Sequence, residues 1–180
     1  MTSSHLPAIV TERNPKARCT RRTIYTSQQR SPLGTLTLAT TDTGLCGIYF
    51  EEHRYFAGTD GWLSAHKHPH LALAGAQLDD YFNGTLTTFS LPLDFVGTPF
   101  QEAVWRGLID LGFGQTTSYG AHAEHIGKPH AVRAVGTAIG RNPLSIVIPC
   151  HRVIGSAGAL SGYAGGLDRK RALLELERRR

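Results

Sequence analysis

The chain has 180 residues, 41% of them hydrophobic and 18% charged, with a formal charge of +5. That composition excludes a disordered chain and leaves room for one large or two small domains. The basic balance permits a polyanionic partner without requiring one. No stretch is apolar for long enough to span a bilayer, and residues near the N-terminus lack a signal peptide's apolar core, so a cytoplasmic protein is expected. The three cysteines, Cys19, Cys46 and Cys150, are odd in number and far apart. That argues against a disulfide framework or a zinc ribbon and for reduced thiols.

Residues 1–22 are polar, basic and weakly patterned. They read as a loose leader, and residues 9–22 are either a DNA contact or a solvated tail. From Thr23 the pattern changes. TIYTSQ and LGTLTLATT read as short strands with Ser31–Pro32 at the turn, and GLCGIYFE reads as a third. A loop rich in His and Gly follows. LALAGAQLDDYF then places Leu71, Ala74, Leu78 and Tyr81–Phe82 at helical spacing, with Gly84 as a stop. TLTTFSLPL reads as one more strand. Residues 23–94 thus form a small α+β domain.

A second domain is expected over residues 95–180. Thr98 is an N-cap, Pro99 sits at N1 and Gln101 completes a capping box. Phe100, Val104, Leu108 and Leu111 line one face of that helix, and Gly112 and Gly114 end it. A short helix runs from near Ser118 to Gly127, and Pro129 opens another, HAVRAVGTAIGR. Two short helices joined by a tight turn outline a helix-turn-helix. The second carries Val132, Val135 and Ile139 on one side and Arg133, Thr137 and Arg141 on the other. Its small residues, Ala134, Gly136, Ala138 and Gly140, suit either close approach to DNA or helix packing. NPLSIVIPCHRVIG reads as a buried strand ending at Pro149. A Gly-rich loop and a last helix, LDRKRALLELERR, complete the chain.

Cys150 follows an apolar run and a proline and precedes His151. A thiolate is the useful nucleophile, and a histidine is the natural group to take its proton. Neighbours on an extended chain point to opposite faces, so the pair cooperates only if the chain turns at Pro149–Cys150. The plain alternative is an inert buried cysteine. In the last helix Leu167, Lys170, Leu174 and Glu177 share a face by spacing. Glu177 there is either the acid of a Cys-His-acid relay or part of a charged surface.

These segments together resemble the methylated-DNA–protein-cysteine methyltransferases. The PCHRV core carries the resemblance, together with FQEAVWRGLI, GQTTSYG, IGKPHAVRAVGTAIGRNP and GYAGGL in that family's order. It spans about residues 23–177. It implies an α+β protein with an N-terminal ribonuclease-H-like α/β domain and a mainly helical C-terminal domain. It implies a single-turnover enzyme that flips O6-alkylguanine, and O4-alkylthymine, out of double-stranded DNA and moves the alkyl group to Cys150. His151 would deprotonate Cys150 through a water and Glu177 would hold His151. Asn142 would stabilise the turn and contact the flipped base. Tyr119 and Lys170 would assist at the departing guanine. Arg133 would fill the gap in the stack, on a surface with Ala131, Ala134, Gly136, Thr137 and Arg141. No cofactor is implied and a monomer is expected. Thr41 and Cys46 stand where some relatives carry zinc ligands, so no zinc is expected. The competing readings are a lesion-binding protein without transfer, against which Cys150 speaks, and a thiol hydrolase with an incidental helix-turn-helix.

Overall fold

The computed structural model describes residues 22–156 and 158–179. Cys19 and nearly all of the basic leader lie outside the described residues. β1 (Tyr25–Ser31) and β2 (Gly34–Thr40) form an antiparallel hairpin closed by the Ser31–Gly34 pair. β3 (Leu45–Phe50) extends it antiparallel. Alternation puts Leu36 opposite Phe50 and Leu38 opposite Ile48, all of them buried. A two-residue β4 (Leu63–Ser64), too short to leave a period in the sequence, pairs parallel with β1, giving the order β3-β2-β1-β4.

α1 (Pro69–Asn83) packs on this sheet through Leu71, Ala74, Leu78 and Tyr81, and ends at Gly84 with φ 72°. The strand expected at TLTTFSLPL does not form. Only Leu93 makes an isolated parallel bridge, to Leu45. The Gln77 side chain holds Ser90 instead, accepting from its N–H at 2.8 Å and donating to its carbonyl at 3.0 Å. Pro92 has no N–H for a ladder. The segment is therefore tied to α1 and touches β3 only at its edge.

The capping box at Thr98 and Gln101 forms and starts α2 (Pro99–Ile109). α3 (Tyr119–His125) and α4 (Val132–Gly140) pack against α2. Val104 and Leu108 of α2 and Val135, Ala138 and Ile139 of α4 are buried. The Trp105 indole donates to the Ala138 carbonyl at 2.8 Å. His122 of α3 is buried too and donates from Nε2 to the Val104 carbonyl at 3.0 Å, so it holds two helices together. Val132, expected on the apolar side of α4, is 38% exposed. The chain from Pro129 to Ala131 is a 3₁₀ turn. Its three-residue repeat changes the phase at which α4 begins.

The strand expected over NPLSIVIPC is buried but irregular. Pro143 and Pro149 lack N–H groups, and Ile146 sits at φ 73°, a costly setting for a β-branched residue. The segment meets β3 only where Ile48 N–H donates to Pro143 and Ser145 N–H donates to Ile48. Beyond it, β5 (Thr117–Ser118) and β6 (Val153–Ile154) pair in parallel. α5 (Leu167–Arg178) closes the fold. Its inward face is Lys170, Leu173 and Glu177, whereas Leu167 is exposed and Leu174 only half-buried.

Leu108 joins the packing of the helical domain and is fully buried. Leu108→Ala is expected to lower unfolding stability by about 2–5 kcal/mol, read as a lower urea midpoint at unchanged slope.

Candidate active site

Cys150 opens a single 3₁₀ turn, Cys150–Arg152, directly after Pro149. The chain therefore turns at Pro149–Cys150 and does not run on extended. Asn142 fixes the chain leading into it. Its Nδ2 group donates to the Ile148 carbonyl at 2.8 Å, the Leu144 carbonyl at 3.3 Å and the Cys150 Sγ at 3.1 Å. Its Oδ1 accepts from the Leu144 N–H at 2.9 Å. One buried side chain thus spans both ends of the strained 142–150 segment and touches the sulfur. Burial pushes the Cys150 thiol above its ordinary pKa, while the Asn142 bond and the nearby Lys170 ammonium pull it back. At rest the group is a thiol that needs a base.

His151 is fully buried. Its Nε2 lies 2.8 Å from Glu177 Oε1, and its Nδ1 is buried with no hydrogen-bond partner among the described residues. With Nε2 carrying the proton toward the carboxylate, Nδ1 presents a lone pair. Burial holds the His151 pKa below its ordinary value although Glu177 raises it, so the ring is neutral at pH 7. Glu177 stays ionised: its bonds from His151 and Arg152 outweigh desolvation and hold it well below the carboxylate range. Arg152 donates to Glu177 Oε2 from Nε at 2.8 Å and to Oε1 from Nη2 at 2.9 Å. The Gly114 N–H also donates to Oε2, at 3.1 Å. Gly114 has φ 72°, and a Cβ there would come within 3.1 Å of the Glu177 carbonyl oxygen. The Tyr81 hydroxyl, from α1 of the N-terminal half, donates to Oε1 at 2.8 Å.

Lys170 is buried, and its ammonium reaches only main-chain oxygens: Val153 at 2.6 Å, Ser161 at 2.7 Å and Gly162 at 3.4 Å. Burial lowers its pKa to about 8. Its three N–H donors are thereby committed to β6 and the Gly-rich loop, not to an open cleft. The Tyr119 hydroxyl donates to the same Ser161 carbonyl at 3.0 Å. Gly165 allows the loop to lie against the core, since a Cβ there would meet Phe50 and Tyr163, each at 2.9 Å.

Tyr119 and the Ser161–Ala164 loop form one side of a cavity of about 520 Å³, and α4 forms the other through Arg133, Gly136 and Thr137. Among the described residues the lining includes two arginines and no acid. Arg133, Ala134, Thr137 and Arg141 are exposed, and Ala131 and Gly136 are half-buried. The expected site residues therefore fall into three groups. Cys150, His151, Asn142 and Glu177 share a buried cluster, Lys170 and Tyr119 brace the loop, and Arg133 with its neighbours faces outward on α4.

Sequence reasoning missed four contributors. Arg152, inside the CHR motif, is the second ligand of Glu177. Tyr81 was legible only as a core position of α1. Arg54 and Tyr55, from the loop after β3, line the cavity, and Arg54 and Arg141 both lie over the Tyr55 ring. Nothing in their local pattern marks them. Thr41 donates to Asp94 at 2.5 Å, and Cys46 is half-buried with its thiol pushed up to about 11 by burial.

Comparison with known proteins agrees with this two-part arrangement. The family profile described as "6-O-methylguanine DNA methyltransferase, ribonuclease-like domain" matches residues 22–95, and the one described as "6-O-methylguanine DNA methyltransferase, DNA binding domain" matches residues 99–179. A methylated-DNA–protein-cysteine methyltransferase of Mycolicibacterium paratuberculosis is 52% identical over 83% of this chain and 89% of its own. One from Haemophilus influenzae is 40% identical over 86% and 87%. The crystal structure of the O6-methylguanine methyltransferase of Mycobacterium tuberculosis superposes with a TM-score of 0.80 at 45% identity, covering 87% of this chain and 94% of that one. The same organism's protein in complex with DNA gives a TM-score of 0.81 at 45% identity, over 86% and 93%. With both halves matched and identity of this order over most of its length, the chain belongs to the methylated-DNA–protein-cysteine methyltransferase family.

Proposed function

We propose that this protein repairs alkylated DNA by transferring the alkyl group of O6-alkylguanine, and of O4-alkylthymine, to Cys150 in a single turnover. The observation that carries this reading is the buried Cys150–His151–Glu177 cluster in the same domain as an arginine-bearing helix-turn-helix. A base inside a duplex is out of reach of a buried thiol, so the damaged nucleotide must be turned out of the stack. The cavity between α4 and the Ser161–Ala164 loop is the place for it.

His151 Nδ1 accepts the thiol proton, through a water, while Glu177 steadies the imidazolium that results. The sulfur attacks the alkyl carbon, a sulfur–carbon bond forms and the carbon–O6 bond breaks. The electron pair of that bond leaves with guanine, which takes up a proton. Tyr119, at the cavity wall, is placed to supply it. Lys170 contributes by holding the loop through Ser161 and by its positive charge near the sulfur. Asn142 keeps the turn and the sulfur in place. Arg133, exposed on α4, enters the stack in place of the extruded nucleotide, and Ala131, Ala134, Gly136, Thr137 and Arg141 complete the DNA-facing surface. The product is a thioether that nothing in the site can cleave. The protein acts as a cytoplasmic monomer.

Incubation with a duplex containing O6-methylguanine should add one methyl to the Cys150 peptide, read by mass spectrometry, and Cys150→Ala should acquire none. A wild-type protein that binds the duplex without an adduct would favour lesion recognition without transfer. Arg133→Ala is expected to slow transfer from duplex DNA by about tenfold or more, because flipping costs a few kcal/mol. Its reaction with free O6-benzylguanine should stay within roughly twofold of wild type.

A pH dependence follows from the neutral state of His151. Burial places its pKa below the usual value of about 6.5, so protonation removes the base only on the acid side. The transfer rate should fall as pH drops below about 6.5, in single-turnover kinetics on the free base.

A further inference from the structure

We infer that Tyr81 is a positioning residue of the Cys150 relay: its hydroxyl, delivered by the N-terminal domain, helps set how strongly Glu177 supports His151. The inference rests on the alkyl-transfer reading above and extends the relay across the domain boundary.

Tyr81 lies 96 residues before Glu177, on a helix whose other buried positions serve the sheet. An α1 core position ordinarily takes an aliphatic or phenyl side chain, because a buried hydroxyl without a partner is costly. Here the ring packs among Phe82, Phe89 and Phe113 and is fully buried. Its hydroxyl has one protein partner, Glu177 Oε1, at 2.8 Å. That is the same oxygen that faces His151 Nε2 at 2.8 Å and accepts from Arg152 Nη2 at 2.9 Å. The hydroxyl is a permanent donor, since burial and the adjacent carboxylate hold its pKa far above the ordinary tyrosine value.

Three donors on one carboxylate oxygen compete for its charge. The Tyr81 bond fixes where Oε1 sits and draws charge from it, so Glu177 orients the imidazole without over-stabilising the imidazolium. That balance matters because His151 must be neutral to accept the thiol proton. The other charged or titratable groups around the ring are Lys170 and Glu177 from α5 and Cys150 and Arg152 from its own turn. Tyr163 from the Gly-rich loop interacts with Cys150 and Glu177. None of these comes from the N-terminal domain. Tyr81 is the donor by which that domain reaches the relay.

The test is Tyr81→Phe, which keeps the ring and removes the bond. Two pH profiles are measured on the intact protein: transfer from free O6-benzylguanine, and alkylation of Cys150 by iodoacetamide followed on its peptide by mass spectrometry. Losing the hydroxyl leaves more charge on Oε1, favours imidazolium and raises the His151 pKa. The acid limb of both profiles is therefore expected to move up by roughly half to one pH unit. Tyr81→Met, which also lacks the hydroxyl, should move it the same way and covers the case in which the phenylalanine variant folds poorly. A role in packing alone would lower the melting temperature and leave both profiles in place. Profiles that coincide with wild type in a folded variant would overturn the inference. If the wild-type protein accepted no alkyl group from O6-alkylguanine, the alkyl-transfer reading would fail instead, and the iodoacetamide profile would still decide the role of Tyr81.

Discussion

The structure depends on keeping one carboxylate charged where there is almost no water. Glu177 is buried, and a buried carboxylate without partners would take up a proton. Five donated hydrogen bonds prevent this: one each from Tyr81, His151 and the Gly114 N–H, and two from Arg152. Those donors come from α1, the turn after Cys150 and the loop after α2. The distant segments of the fold therefore have to assemble in one arrangement before Glu177 can hold His151. Removing one donor leaves the others in place, but removing the carboxylate would leave Arg152 buried without its main partner, which is the costlier case.

The thiol of Cys150 is treated in the opposite way. Cys150 is buried and its charge is disfavoured there, so the resting group is a thiol. Asn142 and Lys170 each favour the thiolate, and the buried Nδ1 of His151 has no hydrogen-bond partner among the described residues. The same side chains perform structural work. Asn142 bridges the irregular segment that contains left-handed Ile146, and Lys170 joins β6 to the loop beside the cavity. The strain at Ile146 is tolerated because Asn142 and the two contacts to β3 over-determine the path of the chain.

Much of this was legible in the sequence where the signal is local. The hairpin, the α1 and α2 faces, the Thr98 capping box and the helix-turn-helix are governed by residue period and cap chemistry, and all form. The failures are non-local. TLTTFSLPL has strand composition, but the Gln77–Ser90 bonds and Pro92 bind it to a helix. NPLSIVIPC has the apolar run of a buried strand, but two prolines and a left-handed isoleucine fold it into turns that carry Cys150. The site follows the same division. Cys150 and His151 are adjacent and visible, and Glu177 can be guessed from its face of α5. Lys170 is expected at the departing guanine, yet its donors face carbonyls that no spacing rule identifies. Tyr81 and Arg152 become visible only when the partner of Glu177 is known.

The two halves of the chain meet through both polar and backbone contacts. Arg169 of α5 donates to Leu33 and Glu51 of the N-terminal sheet region and lies over the Phe50 ring. β3 exchanges backbone bonds with the segment leading to Cys150. Arg54 and Tyr55 reach the cavity from the loop after β3. The N-terminal half therefore touches the cysteine segment through β3, Glu177 through Tyr81 and the cavity wall through Arg54 and Tyr55. A change in the sheet domain can reach the sulfur without passing through α4. The α1–α5 contact at Tyr81 and Glu177 and the β3 contact at Pro143 and Ser145 are thus two separate ties between the sheet domain and the turn that carries Cys150.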